Sequence, residues 1–289
     1  MGESVKRNKD AGFGVFREHR GAALSLLFLV ALAVGAVLAP WISPYPYDAT
    51  DPGNLLGGPS REHWMGTDRL GRDLFSRVLF GARVSLLVGV TVALSALTIG
   101  TVVGMLSGYL RGRTDQVLMR IVDVLYALPD LLVVILLMVL LGRSVPALIA
   151  AMVVIGWVGV ARLTRGEVLR VRELPFVEAA RALGAGHAAI LERHVLPNIM
   201  APLLVTLTVR IPGAILLEST LSFLGLGIPP PFSSWGTLAS DGWTALRFYP
   251  HLILFPGAAI LLTVLSFNTL GDFLRDVLDP RRVPRSVNG

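Results

Sequence analysis

The sequence ELPFVEAARALGAGHAAILERHVLP occupies residues 173–197. Two apolar runs flank it, at about 146–162 and 198–217, and each approaches the ~20 residues that a helix needs to cross a bilayer. A polar, partly basic stretch between two such runs indicates a loop that joins two membrane helices.

The rest of the chain has the same alternation of apolar runs and polar connections. Of 289 residues, 53% are hydrophobic and only 16% are charged, which leaves too little polar surface for a soluble protein of this size. The runs are unbroken, whereas a membrane β-barrel needs short segments of alternating hydrophobicity. We therefore predict an all-α, polytopic membrane protein with six spans, at 21–39, 84–110, 117–141, 146–162, 198–217 and 251–271.

The distribution of arginine and lysine predicts the orientation of these spans. With the N-terminus inside, the cytoplasmic segments carry 18 basic residues and the external segments carry 6. Basic residues accumulate in the cytoplasmic loops of membrane proteins. Both termini and the 173–197 segment are therefore predicted to lie in the cytoplasm.

The chain divides into three parts. Residues 1–20 form a basic cytoplasmic segment, residues 21–82 an anchor helix with an external segment, and residues 83–289 the main transmembrane domain with a cytoplasmic loop at about 163–197. The first apolar run is longer than a signal-peptide core, and no good cleavage site precedes Pro40, so an uncleaved anchor is expected.

The external segment 40–82 changes character at Thr67-Asp68. Its first half is rich in proline and glycine, which disfavours regular structure. Leu70, Leu74 and Val78 then recur every four residues. We expect a helix along the membrane surface, with its N-terminal cap at Thr67-Asp68.

Within 173–197, the spacing predicts two short helices. Pro175 suits a first turn, and four small or apolar residues recur along one side of the helix that follows, namely Phe176, Ala179, Ala180 and Leu183. Gly184 and Gly186 can end this helix in a left-handed conformation. A second helix at about 187–194 is expected to stop where Pro197 pushes Leu196 into extended geometry.

Two interpretations of this segment remain open from its residues. A basic amphipathic loop can lie on anionic lipid headgroups. Alternatively, the small side chains of Ala179 and Ala180 let another protein approach closely, while Glu178 orients it. In the second case the segment docks onto a separate, soluble subunit.

Charged residues inside the predicted spans need a reason, because a charge at the middle of a membrane helix costs about 2.5–3.5 kcal/mol. Asp123 and Asp130 are seven residues apart and would share a helix face, and Arg210 interrupts the fifth span. Asp130 and Arg210 are predicted at a similar depth, about 20 Å from the cytoplasmic side. They either line a translocation path or form a buried pair that holds two helices together.

Several functions are excluded or disfavoured. The two lysines, Lys6 and Lys9, precede the first span and follow no glycine-rich loop, so the chain has no P-loop for ATP. It has no cysteine, and the spacing of its five histidines does not suit a metal site. The basic residues are divided among loops, which disfavours nucleic-acid binding, and no nucleophile–base constellation indicates a membrane enzyme.

At this point a family resemblance is clear. The order Glu178-Ala179-Ala180, then Gly184, then Leu196-Pro197 resembles the EAA loop of ABC-importer permeases. It is most similar to the second permease subunit of dipeptide, oligopeptide and nickel importers. Residues 63–89, 217–242 and 271–281 resemble the same family. His194 stands where many ABC permeases have an apolar residue.

The resemblance implies a type I importer permease in a bacterial cytoplasmic membrane. Its expected partners are a homologous second permease, two ATPases, an external substrate-binding protein, a peptide substrate and membrane lipid. The chain itself would bind no cofactor, since the ATPases would bind ATP and Mg²⁺. The coupling residues would be Glu178, Ala179, Ala180, Gly184, His194, Leu196 and Pro197. Nickel is the rival substrate, and an ion-coupled secondary transporter is the rival mechanism.

Overall fold

The computed structural model describes residues 20–278, and these are predominantly helical. Within this range the chain forms no β-strand, and a single isolated bridge joins Thr67 to Asp73. The predicted all-α class is confirmed. The predicted N-terminal segment 1–20 lies outside the described residues, except for its last residue.

We number the α-helices in chain order. They are α1 (Arg20–Ile42), α2 (Leu74–Leu110), α3 (Gly112–Tyr126), α4 (Asp130–Leu141), α5 (Val145–Gly156), α6 (Val158–Val171), α7 (Pro175–Ala182), α8 (His187–Ile190), α9 (Leu196–Phe223), α10 (Trp235–Trp243) and α11 (His251–Leu278). A π-helical turn, Leu191–Val195, joins α8 to α9.

Five helical segments are long and apolar enough to cross a membrane, and a sixth is added if a bent helix pair counts as one span. α5 and α6 together form one of the five, and α8, the π turn and α9 together form another. Five of the six predicted spans thus each correspond to one long helical segment.

The third predicted span, 117–141, is wrong as a continuous helix. α3 and α4 meet at an angle of 86°. Pro129 has extended backbone angles, φ −65° and ψ 117°, and caps the start of α4. A proline ring disfavours helical geometry in the residue before it, so the helix stops before Leu128 and restarts beyond the proline.

The predicted surface helix from Thr67-Asp68 is also wrong. α2 begins at Leu74, and its cap is Asp73, whose carboxylate accepts hydrogen bonds from the Ser76 backbone N–H at 2.8 Å and hydroxyl at 2.7 Å. Asp68 instead accepts bonds from the side chains of Arg72 and Arg77. Its other carboxylate oxygen accepts the backbone N–H groups of Leu70 and Arg72, so Asp68 closes a turn ahead of the helix. Leu74 and Val78 belong to the first turns of the long membrane helix α2.

The packing of α2 on α6 forms the centre of the bundle. Gly100, Gly104 and Gly108 recur every four residues along the face of α2 that meets α6. A Cβ added to Gly100 would lie 2.5 Å from the Val160 side chain, and one added to Gly104 would lie 2.6 Å from the Ala161 carbonyl oxygen. Small residues at this spacing let two membrane helices approach closely. This contact brings the end of α2 against the segment that follows α6.

Candidate functional site

The 173–197 segment begins with a compact helix whose two ends are defined by its sequence. Leu174 is extended and precedes Pro175, which occupies the first turn of α7. At the other end Gly184 has φ +83°. Its N–H bonds to the Arg181 carbonyl at 3.0 Å, and the Ala185 N–H bonds to the Ala180 carbonyl at 3.0 Å. These two bonds form a Schellman motif, and the predicted left-handed cap at Gly184 is confirmed.

Gly186 has a different role from the one predicted. Its φ of −67° is not left-handed, and it is the N-cap of α8 rather than part of the end of α7. The two glycines therefore separate the helices, with Gly184 ending the first and Gly186 preceding the second.

The predicted break at Leu196-Pro197 is wrong. Leu196 is helical, with φ −55° and ψ −48°, and the chain stays helical from His187 to Phe223. The Leu196 N–H bonds to the Leu191 carbonyl, five residues back, in the π turn. This shift of hydrogen-bond register accommodates Pro197, which has no N–H. The Asn198 side chain also donates to the His194 carbonyl at 2.7 Å.

One face of α7 is anchored in the protein. Val177 is fully buried. It packs in a cluster that includes Tyr109 and Ile190, with Leu174 and Ala180 partly buried at its edge. Ala180 therefore belongs to the inner side of α7. The sequence pattern had grouped it with Phe176, Ala179 and Leu183, which are exposed.

The opposite face of α7 is open. Leu183 is 89% exposed and Phe176 is 41% exposed, and Glu178 and Ala179 are exposed as well. Phe176 and Leu183 are seven residues apart, so two exposed apolar side chains lie on one side of a helix that is fixed from behind. We call Phe176, Glu178, Ala179 and Leu183 the outer face of α7.

Polar contacts fix the α7–α8 region to the end of α2. Arg172 donates to the Gly108 carbonyl at 3.1 Å and to the Tyr109 carbonyl at 2.6 Å. Burial and the positive charges of Arg111 and Arg181 lower the pKa of Arg172. Tyr109 is buried, and its hydroxyl lies 3.1 Å from Nδ1 of His187. The segment is thus attached directly to a membrane helix.

The two histidines of the segment hold it together. His187 contacts Tyr109, and the ring of partly buried His194 lies 6.3 Å from the ring of Phe176, centroid to centroid. Among residues 20–278 no group of three histidine, cysteine or acidic side chains could hold a metal ion. The roles of Tyr109 and Arg172 were not predicted from the sequence. Tyr109 lies at the end of an apolar run and Arg172 in a basic loop, and nothing in the sequence sets either residue apart from its neighbours.

Asp123, Asp130 and Arg210 separate into two places. Asp123 and Asp130 do not share a helix face, because the 86° break lies between them. Asp123 instead forms an ion pair with Arg162 at 2.6 Å, and Arg162 lies 4.3 Å above the centre of the Tyr126 ring. These contacts join α3 to α6.

Asp130 and Arg210 line one cavity of about 460 Å³. They form no ion pair within 4.0 Å, and Arg210 donates to the Gly156 carbonyl at 3.1 Å. Asp130 and Arg210 therefore do not form the predicted direct ion pair, although both side chains line the same cavity.

A buried carboxylate, Glu218, lies near the other end of the bundle. Glu218 is fully buried and accepts hydrogen bonds from Ser222 at 2.9 Å and Ser234 at 2.6 Å. Ser234 is the N-cap of α10, and Trp235 beside it is fully buried. Glu218 therefore joins the end of α9 to α10.

These features together define a polytopic helical membrane protein that exposes an anchored short helix from a loop between two spans and has a charged cavity among its helices. The sequence matches two family models, one described as the binding-protein-dependent transport system inner membrane component, over residues 100–284, and one as the N-terminal TM domain of oligopeptide transport permease C, over residues 10–59. The chain belongs to this family of transport permeases.

Characterised relatives align with nearly the whole chain. The oligopeptide transport system permease protein OppC of Bacillus subtilis strain 168 is 46% identical over 266 residues, which cover 92% of this chain and 87% of the relative. The dipeptide transport system permease protein DppC of the same organism is also 46% identical, over 92% and 83%. The glutathione transport system permease protein GsiD of Escherichia coli O157:H7 is 43% identical, over 92% and 88%.

Proposed function

We propose that this chain is one permease subunit of an ATP-driven importer of dipeptides and oligopeptides. It forms half of the translocation pathway, and a homologous permease forms the other half. Two ATPase subunits bind ATP and Mg²⁺ and hydrolyse the nucleotide, while an external binding protein delivers the peptide. Relatives named for oligopeptide and dipeptide transport, each 46% identical, support the substrate class.

The observation that carries this function is the outer face of α7. Leu183 is 89% exposed on a helix whose inner residue, Val177, is fully buried. A stiff helix held in this way transmits a push or a pull as a rigid body. Closure of the ATPases would move α7, and the contacts of Tyr109 and Arg172 would pass that movement to α2.

The positive-inside bias supports a position of α7 on the same side of the membrane as the ATPases. Because the basic residues are three times more numerous on one set of loops, we assign both termini and α7 to the cytoplasm. The protein then lies in a bacterial cytoplasmic membrane, with α10 and the segment before α2 on the outside, where the binding protein docks.

Substitution of Glu178 tests the coupling role. In E178K the charge at the docking surface is reversed, so we expect weaker co-purification of the ATPases and loss of ATP-dependent peptide uptake. E192K is the matched control, because Glu192 is exposed in the same region but lies outside α7. Unchanged association and uptake in E178K would contradict docking at this helix.

Reconstituted vesicles decide between this mechanism and an ion-coupled secondary transporter. Vesicles with both permeases, the ATPases and the binding protein should accumulate labelled trialanine only when ATP is supplied. Accumulation by this chain alone, driven by an ion gradient without ATP, would refute the proposal. Replacing the peptide with Ni²⁺ in the same assay tests the rival substrate.

A further inference from the structure

The cavity that contains Asp130 and Arg210 differs from the other charged places in the bundle. It is lined by one acidic and one basic side chain and otherwise by apolar and small residues, among them Ala93, Ala96, Gly213 and Ala214. Its volume of about 460 Å³ falls within the range of small-molecule sites, roughly 300–1,000 Å³. Charges of opposite sign among membrane helices require a reason, because a charge inside a span is costly.

Arg210 is held in place by the junction between α5 and α6. Its Nη1 donates to the carbonyl of Gly156, the last residue of α5. A Cβ on Gly159 would lie 2.5 Å from Nη2, so the absence of a side chain there makes room for the guanidinium. A guanidinium has five N–H donors. Within residues 20–278, the bond to Gly156 is the one hydrogen bond that it forms, so donors remain for an anion.

Asp130 is free to accept a cation. It is the first residue of α4, it is exposed to the cavity side of the bent pair, and its carboxylate forms no hydrogen bond or ion pair within the described part of the chain. Its negative charge acts on Arg210 across the cavity without direct contact. Two opposite charges that are held apart match a ligand that itself carries two separated opposite charges.

We propose that this cavity is a transit site for the substrate peptide, in which Arg210 binds the terminal carboxylate and Asp130 binds the terminal ammonium group. This inference rests on the proposed peptide-import function and adds the recognition chemistry to it. Recognition of the two termini, rather than of the side chains between them, lets one site accept peptides of different sequence. The second permease would close the open side of the site.

Cysteine labelling gives a readout of occupancy that does not depend on uptake. The chain has no cysteine, so a single one is a clean reporter. Gly213 lines the cavity, and a Cβ there meets nothing within 4 Å, which makes G213C suitable. G257C on α11 is the matched control, since a Cβ at Gly257 is equally unobstructed. Both are made in the full transporter in vesicles, with the binding protein and ATP.

Trialanine should slow the reaction of G213C with a maleimide and leave G257C unchanged. In G213C carrying D130N or R210Q, about tenfold more trialanine should be needed for the same protection, as expected when a hydrogen bond to a charged group is lost. If R210Q fails to assemble, D130N alone tests the transit site. D130N should assemble, because the Asp130 side chain forms no hydrogen bond or ion pair within the described residues.

Equal protection of G213C with and without these substitutions would overturn the transit site. Absence of any protection in a transporter that takes up trialanine would overturn it as well. Failure of the proposed function has a different signature, because the unmodified complex would then show no ATP-dependent uptake of trialanine in the same vesicles, and that result would remove both proposals.

Discussion

The hydroxyl of Tyr109, at the end of α2, lies 3.1 Å from Nδ1 of His187, the first residue of α8. This contact joins a membrane helix to the loop that bears α7, across 78 residues of sequence. It gives a direct physical connection between α8 and the bundle.

Removal of the Tyr109 hydroxyl should loosen this connection without unfolding the protein. In Y109F the buried ring stays and one hydrogen bond is lost, which costs about 0.5–1.5 kcal/mol. We expect the transporter to assemble and to hydrolyse more ATP per peptide imported. Faster amide hydrogen exchange in α7 and α8 would accompany this. An unchanged ratio of ATP to peptide and unchanged exchange would show that the contact does not transmit the movement.

Close packing of α2 on α6 predicts a strong effect at Gly104. A methyl group there would lie 2.6 Å from the Thr164 Cβ and the Ala161 carbonyl oxygen, so G104A should force the helices apart. Overpacking of this kind costs about 1–3 kcal/mol. The thermal unfolding midpoint in detergent should fall.

Gly166 supplies the control for that experiment. It lies on α6, and a Cβ there meets nothing within 4 Å. G166A should leave the midpoint unchanged or raise it slightly, because alanine favours a helix over glycine by about 1 kcal/mol. Equal losses in G104A and G166A would contradict the role assigned to the glycine face.

The two faces of α7 should respond differently to truncation. Val177 is fully buried, so V177A removes packing and should destabilise the loop by about 1–3 kcal/mol. L183A removes a side chain that is 89% exposed and should leave stability unchanged while it weakens ATPase association. Limited proteolysis measures the first effect and co-purification the second. A stability loss in L183A as large as that in V177A would contradict the assignment of the outer face.

Glu218 should matter as a hydrogen-bond acceptor. E218A leaves the hydroxyls of Ser222 and Ser234 without their buried acceptor, and each such loss costs about 1–3 kcal/mol. E218Q keeps an oxygen at the same place and should retain most of the stability. The unfolding midpoints of the two variants compare them directly, and equally low values would mean that the carboxylate has a role beyond accepting these bonds.

The structural features that were predicted correctly from the sequence are set by interactions between residues close together in the chain. Long apolar runs predicted the spans, because a hydrocarbon environment accepts a backbone only when its polar groups bond within the helix. Gly184 and Pro175 correctly marked the two ends of α7, since each restricts or permits particular backbone angles. Two other prolines were interpreted wrongly. Pro129 interrupts a span that was predicted to be one helix, and Pro197 lies in a continuous helix because a π turn accommodates it.

The sequence by itself determined the helical class, the number and position of most spans and the short helix at 175–182. Only the tertiary structure decided that Arg210 bonds to Gly156, 54 residues away, and that Asp130 shares its cavity while Asp123 pairs with Arg162. Local signals act over a few residues through backbone geometry and hydrophobic periodicity. Pairings between distant side chains depend on how closely the helices pack and at what angle they meet, and no signal between neighbouring residues carries that information.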